Sequence, residues 1–220
     1  PTEITAVCDL VAERCAAVAP DARHFRSWKD LFAHATLFDA VIIATLDSCH
    51  AGPLLAAMDC GVHILVEKPI VDNLADAERI LAALARSKSQ IAVCHTLRFL
   101  PAYRQLKSMI PRIGPILHVD HEEAIGNIRF AHNYVRGQWG NVARNTLLFI
   151  HKCCHDVDYI LSLLPDYSRY EVTSIGALSY FNRDHAPTGS TERCHDCPFR
   201  RSCRFSAVLL YDEADKTRWP

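Results

Sequence analysis

Gly61-Val62-His63-Ile64-Leu65-Val66-Glu67-Lys68-Pro69 is the stretch whose reading decides the fold. A glycine here closes a helix as its C′ residue, where a left-handed backbone is wanted. Four apolar residues interrupted by one histidine then read as a short buried strand. A carboxylate, an ammonium and a proline follow at its carboxyl end. Ligands of open α/β sheets bind beyond the carboxyl ends of the strands, so Lys68 is the first candidate for chemistry.

The segments around this strand repeat its alternation. Residues 4–9 are β-branched and apolar and stop at Asp9; residues 11–19 are Ala-rich and helical, with Pro20 as breaker. Ser27 is an N-cap for a helix over 28–35. Residues 39–45 form another buried strand, followed by a loop through Asp47, Ser48 and His50. The helix before Gly61 covers 53–60. Asp72 or Asn73 caps a helix over 74–88, whose Leu74, Ala77, Leu81 and Leu84 recur at helical spacing. Residues 90–94 form a further strand. Short strands alternating with helices imply a doubly wound parallel sheet from residue 3 to about 96.

The rhythm then changes. A helix over 100–110 stops at Pro111, and 115–124 reads as a longer strand with Ile116, His118 and Asp120 on one side and Leu117, Val119 and His121 on the other. Residues 126–145 read as an irregular aromatic-bearing loop, 146–164 as a helix and 170–181 as another long strand. The helix has Ile150, Cys154, Val157, Leu161 and Leu164 as its expected core stripe. His151, His155 and Asp158 form an adjacent stripe able to face one cavity. Long alternating strands suit a mixed or antiparallel open sheet. The expected fold class is therefore α/β, a Rossmann-type parallel sheet over 1–97 followed by an α+β domain over 98–220.

Composition narrows the function classes. Half of the 220 residues are hydrophobic and the net charge is −1, so no basic field points to nucleic acid or an anionic membrane. No apolar run reaches the roughly 18 residues of a membrane span. Ten cysteines scattered through a core-forming chain of this length suit a reducing, cytoplasmic setting.

Asp9 at a strand end, Val41-Ile42-Ile43-Ala44-Thr45 followed by His50, Glu67-Lys68-Pro69, Arg98-Phe99-Leu100-Pro101 and His155-Asp156-Val157-Asp158 together resemble the Gfo/Idh/MocA oxidoreductases. The similarity runs along the chain in order. Residues 132–139, 152–156 and the three-cysteine segment resemble one subgroup of sugar dehydrogenases. The resemblance implies an NAD- or NADP-binding Rossmann domain, then a domain whose large sheet carries substrate and a homo-oligomer interface.

Two departures stand out. The family opens with a strand and a Gly-rich turn that cradles the pyrophosphate, whereas Gly52 is the first glycine here. The chain thus starts at the second strand of the pattern, and in the order 3-2-1-4-5-6 the missing strand is central. It also stops before the large sheet is complete, so a piece of a longer protein is expected. In addition, Leu46 replaces a proline usual after the strand-end threonine.

Carried onto these residues, the resemblance makes Asp9 the partner of the adenosine ribose, which favours NAD and leaves NADP open; the residue type alone equally suits a helix cap. Ala44, Thr45, Leu46 and His50 would pass the nicotinamide side, although a histidine opening a helix also serves as a cap or packing residue. Glu67 would pair with Lys68 or hold the nicotinamide amide. Lys68, its pKa lowered by like charge and desolvation, would be catalytic, against the alternative of a surface ion pair. His155 would be the proton-accepting base, with Asp158 fixing its tautomer. Whether His151 or Lys152 takes the place of the family's usual aspartate stays open. Arg98, Tyr134, Arg136 and Trp139 suit a sugar pocket. Cys194, Cys197 and Cys203 have the spacing of an incomplete metal knuckle, which leaves a structural zinc and a loop of free thiols both open.

The function expected is hydride transfer between nicotinamide and a secondary alcohol of a sugar or polyol. An NAD-using lyase or glycosidase of the same fold and a non-catalytic NAD- or sugar-sensing protein are the alternatives.

Overall fold

The computed structural model describes residues 2–143, 145–164 and 169–212. The chain forms two compact units, Pro1–Glu123 with Val142–Tyr167 and Ala124–Asn141 with Ser168–Pro220.

The first unit alternates strands and helices: β1 (Ala6–Cys8), α1 (Ala12–Val18), β2 (Arg23–Phe25), α2 (Trp28–Phe32), β3 (Ala40–Ile43), α3 (Ala51–Cys60), β4 (His63–Val66), α4 (Leu74–Leu84) and β5 (Ile91–Val93). All strand pairs are parallel, β1 with β2 and β3 with β4 with β5. They make two sheets rather than one. The division falls between β1 and β3, where the family order places a central strand. Helix α5 (Pro101–Ile113) and helix α7 (Leu148–Leu163) complete the unit; the short α6 (Asn127–Phe130) belongs to the second.

The opening stretch folds as its residues require. Gly61 takes φ 73° and ψ 14°. Its N–H reaches Met58 O, and Val62 N–H reaches Ala57 O, the paired bonds of a Schellman ending. The chain is thereby turned straight into β4, with Val62, Ile64 and Val66 all buried. These side chains pack with Ile43 of β3, Leu54, Ala57 and Met58 of α3, and Ile80 and Ala83 of α4. The other face of this sheet carries Ile42 and Leu65, partners in register and both exposed. The expected caps form, with Ser27 Oγ accepting from Lys29 N–H and Asn73 Oδ1 from Asp76 N–H. Pro111 lies inside α5 rather than ending it; in the last turn its missing N–H removes only one helical bond.

Two expectations are corrected. No strand forms over 115–124 or 170–181 among the described residues. Alternation supplies a side-chain pattern but no partner edge, and an unpaired segment has no ladder to complete; Leu117 and Ile175 accordingly stand 93% and 100% exposed. The mixed or antiparallel sheet of the second half is thus absent among the described residues. The core stripe of α7 is also turned: Val157 is exposed, while Asp156 and Tyr159 are buried. Polar partners for its other faces set the rotation of this helix.

Candidate functional site

Helix α7 is aligned with the carboxyl ends of three strands in sequence order. His151 Nδ1 lies 2.7 Å from Asp47 Oδ2, just beyond β3. Lys68 Nζ, beyond β4, donates to the His151 carbonyl at 3.0 Å. The rings of His155 and His95, the latter beyond β5, meet edge to face at 5.6 Å between centroids. Asp158 accepts both arms of the Arg98 guanidinium at 2.6 and 2.7 Å. Seven residues of helix rise about 10.5 Å, and two strand spacings span about 9.5 Å. The match lets one helical stripe meet three successive strand ends.

This geometry distributes the expected residues. His155 is one helical turn beyond the carbonyl that anchors Lys68. Burial pushes the His155 imidazole below its ordinary range, and Lys68, His95 and Lys152 push the same way against Asp156. Its Nδ1 is buried with no hydrogen-bond partner. Asp158 is engaged by Arg98 and lies 3.8 Å from His95 Nε2, so the carboxylate expected at His155 is held one step away. Glu67 accepts the Lys68 backbone N–H at 3.2 Å rather than pairing with its ammonium. Between the two candidates for the missing aspartate, His151 sits beside Lys68, whereas Lys152 pairs with Glu123.

Asp47 and His95 were not singled out by sequence. Both follow the carboxyl end of a parallel strand by a few residues, the signal that drew attention to Lys68. Asp47 is only 6% exposed. Burial lowers the His95 pKa; Asp158 opposes this, and Arg98 and Lys68 add to it.

The strand ends also set the positions expected to hold a dinucleotide. Asp9 follows β1, with Oδ1 accepting Val11 N–H at 2.8 Å and standing 3.8 Å from the Arg14 guanidinium as an ion pair, so the carboxylate already acts at the start of α1. Ala44, Thr45 and Leu46 follow β3, with Leu46 half exposed. His50 is fully buried, its Nδ1 2.8 Å from Pro69 O and its Nε2 3.0 Å from Thr45 O. It ties the β3 and β4 ends together, and both ring nitrogens face carbonyls. Asp9 and the ends of β3 and β4 are the positions where ribose and nicotinamide contacts are expected; the β1–α1 turn stands at the family's second strand, where an acid and not the Gly-rich turn belongs, and it carries Asp9.

In the second unit, the Tyr134 and Trp139 rings are 6.4 Å apart. Arg136 donates to the Phe205 carbonyl and lies over the Tyr211 ring. A cleft of about 420 Å³ there is lined by Phe130, Tyr180, Phe181, Arg204 and Phe205, and by none of the expected site residues. Cys194, Cys197 and Cys203 are free thiols. Hydrogen bonds from the backbone at Thr191 and then Phe199 lower the Cys197 pKa. Among the described residues these three sulfurs do not converge as a set of metal ligands.

Comparison with known proteins follows the same lines. Residues 1–95 match the family described as oxidoreductases with an NAD-binding Rossmann fold. The YteT protein of Bacillus subtilis is 27% identical over 92% of this chain and 50% of its own length. Inositol 2-dehydrogenase 3 of Saccharopolyspora erythraea is 35% identical over 51% of this chain and 34% of its own. The WlbA dehydrogenase of Bordetella pertussis, solved with NADH and UDP-GlcNAcA, superposes with a TM-score of 0.57 at 24% identity, covering 73% of this chain and 47% of that one. The chain thus spans about half the length of YteT or less of the other relatives.

Proposed function

We propose that this chain, whose residues 1–95 match the Gfo/Idh/MocA oxidoreductases with their NAD-binding Rossmann fold, is part of a dehydrogenase oxidising a secondary alcohol of a sugar or polyol. In this reading residues 1–97 serve the cofactor, with NAD favoured by Asp9, and 98–220 serve substrate and assembly. Asp9 would hold the ribose, and Ala44, Thr45, Leu46 and Glu67 would flank the nicotinamide. When bound, the nicotinamide supplies the hydride acceptor.

The chain's own residues supply the proton chemistry. Lys68, held by the His151 carbonyl, directs its ammonium at the substrate oxygen and favours the alkoxide as it develops. His155 removes the hydroxyl proton as general base. Asp158 positions Arg98 and His95 beside it, while Asp47 orients His151. Arg98 and Lys152 are the proposed substrate contacts in the first unit; Tyr134, Arg136 and Trp139, expected from their residue types to suit a sugar, belong to the second.

The observation that carries this reading is the alignment of α7 with the strand ends, which puts Lys68 and His155 within one helical turn. In the full-length protein, Lys68→Ala and His155→Ala are each expected to lower kcat by about 10²-fold or more over a polyol panel. Cofactor affinity, measured by fluorescence titration, is expected to hold. Undiminished turnover in both variants refutes the assignment.

A further inference from the structure

The face of α7 next to His155 carries a second cluster that hydride transfer does not use. Asp156 is 6% exposed. Its Oδ1 meets His121 Nε2 at 2.9 Å, and its Oδ2 is buried with no hydrogen-bond partner. Glu123 joins them: one ligand atom each from His121, Glu123 and Asp156 lies within 4.8 Å of the other two. The Lys152 ammonium contacts Glu123.

We infer that His121, Glu123 and Asp156 bind a divalent transition metal ion of the manganese–zinc class. Ligand bonds of about 2.0–2.2 Å at tetrahedral or octahedral angles put neighbouring donor atoms roughly 3.0–3.6 Å apart, so three groups already within 4.8 Å of one another need close by no more than about an ångström around an ion. One imidazole and two carboxylates are the mixed nitrogen and oxygen set that suits manganese, iron or zinc. The orphaned oxygen is the independent sign of a missing partner. A buried carboxylate oxygen without a donor is costly, and a cation there would satisfy it while His121 turned its nitrogen to the same ion. Lys152 supplies a weaker counter-charge on a long, partly exposed side chain that can swing away. Three protein ligands leave positions open for water or an oxygen of a small molecule. This site stands apart from the hydride-transfer proposal, because binding is read without turnover.

The test is calorimetric titration of the chelator-dialysed chain with Mn²⁺, which thiolates ligate poorly, so that the cysteine segment does not confuse the result. One saturable ion per chain is expected. Asp156→Asn and Glu123→Gln, both near-isosteric, are expected to weaken binding by about tenfold or more, and Lys152→Ala to tighten it by removing the competing ammonium. Far-UV circular dichroism checks that each variant is folded. Glu123, partly exposed, serves as the second probe should Asp156→Asn unfold the chain. No saturable binding, or the same isotherm in wild type and in the folded acidic variants, overturns the proposal.

Discussion

Gly61→Ala isolates one conformational contribution to the strand that bears Lys68. Gly61 stands at φ 73° and ψ 14°, and a Cβ built there meets no heavy atom within 4 Å. Steric clash with the surroundings is therefore negligible, and the cost is that of placing an L-residue in the left-handed region, about 1–2 kcal/mol. The substitution also restricts the unfolded chain, which returns about 0.4–1 kcal/mol. The net expectation is a loss of about 1 kcal/mol, roughly fivefold in the folded-to-unfolded ratio. Urea unfolding followed by far-UV circular dichroism should show a lower midpoint at unchanged slope. Gly61→Asn should lose less, since asparagine tolerates this region. An unchanged midpoint for Gly61→Ala would refute the Schellman ending. A loss above about 3 kcal/mol would refute the open surroundings, since large losses come from other mechanisms.

Leu54→Ala empties a fully buried position between β3, β4 and the helices; a loss of about 2–5 kcal/mol is expected in the same assay, and a loss under about 1 kcal/mol would mean that this core is loosely packed. Asp47→Ala removes the carboxylate 2.7 Å from His151 Nδ1 and is expected to cost about 1–3 kcal/mol. Asp47→Asn should recover part of that, because it keeps an acceptor; equal losses in the two variants would argue against a hydrogen-bonding role. Arg98→Lys cannot reproduce the two-armed contact with Asp158. It should raise KM or lower kcat of the full-length enzyme with little change in melting temperature, and unchanged kinetics would remove Arg98 from the site.

Four of the five parallel strands, the caps at Ser27 and Asn73 and the helix ending at Gly61 are local matters, and residue pattern alone determined them; β2, whose Arg23-His24-Phe25 has no apolar run, shows only through its pairing with β1. Hydrophobic runs of four to six residues between helix signals admit few other folds, and capping chemistry acts over three or four residues. The same locality singled out Lys68 and His155 as candidates, one two residues beyond a strand and the other on a helical stripe. Only the tertiary structure decided what each stripe of α7 meets. Periodicity finds the faces of a helix but not its rotation about its own axis, which Asp47, His95, Arg98 and His121 set from segments 35 to 104 residues away in the chain. Likewise, alternation over 115–124 and 170–181 could not say whether a partner edge exists, because a strand is a property of two segments and the pattern describes one.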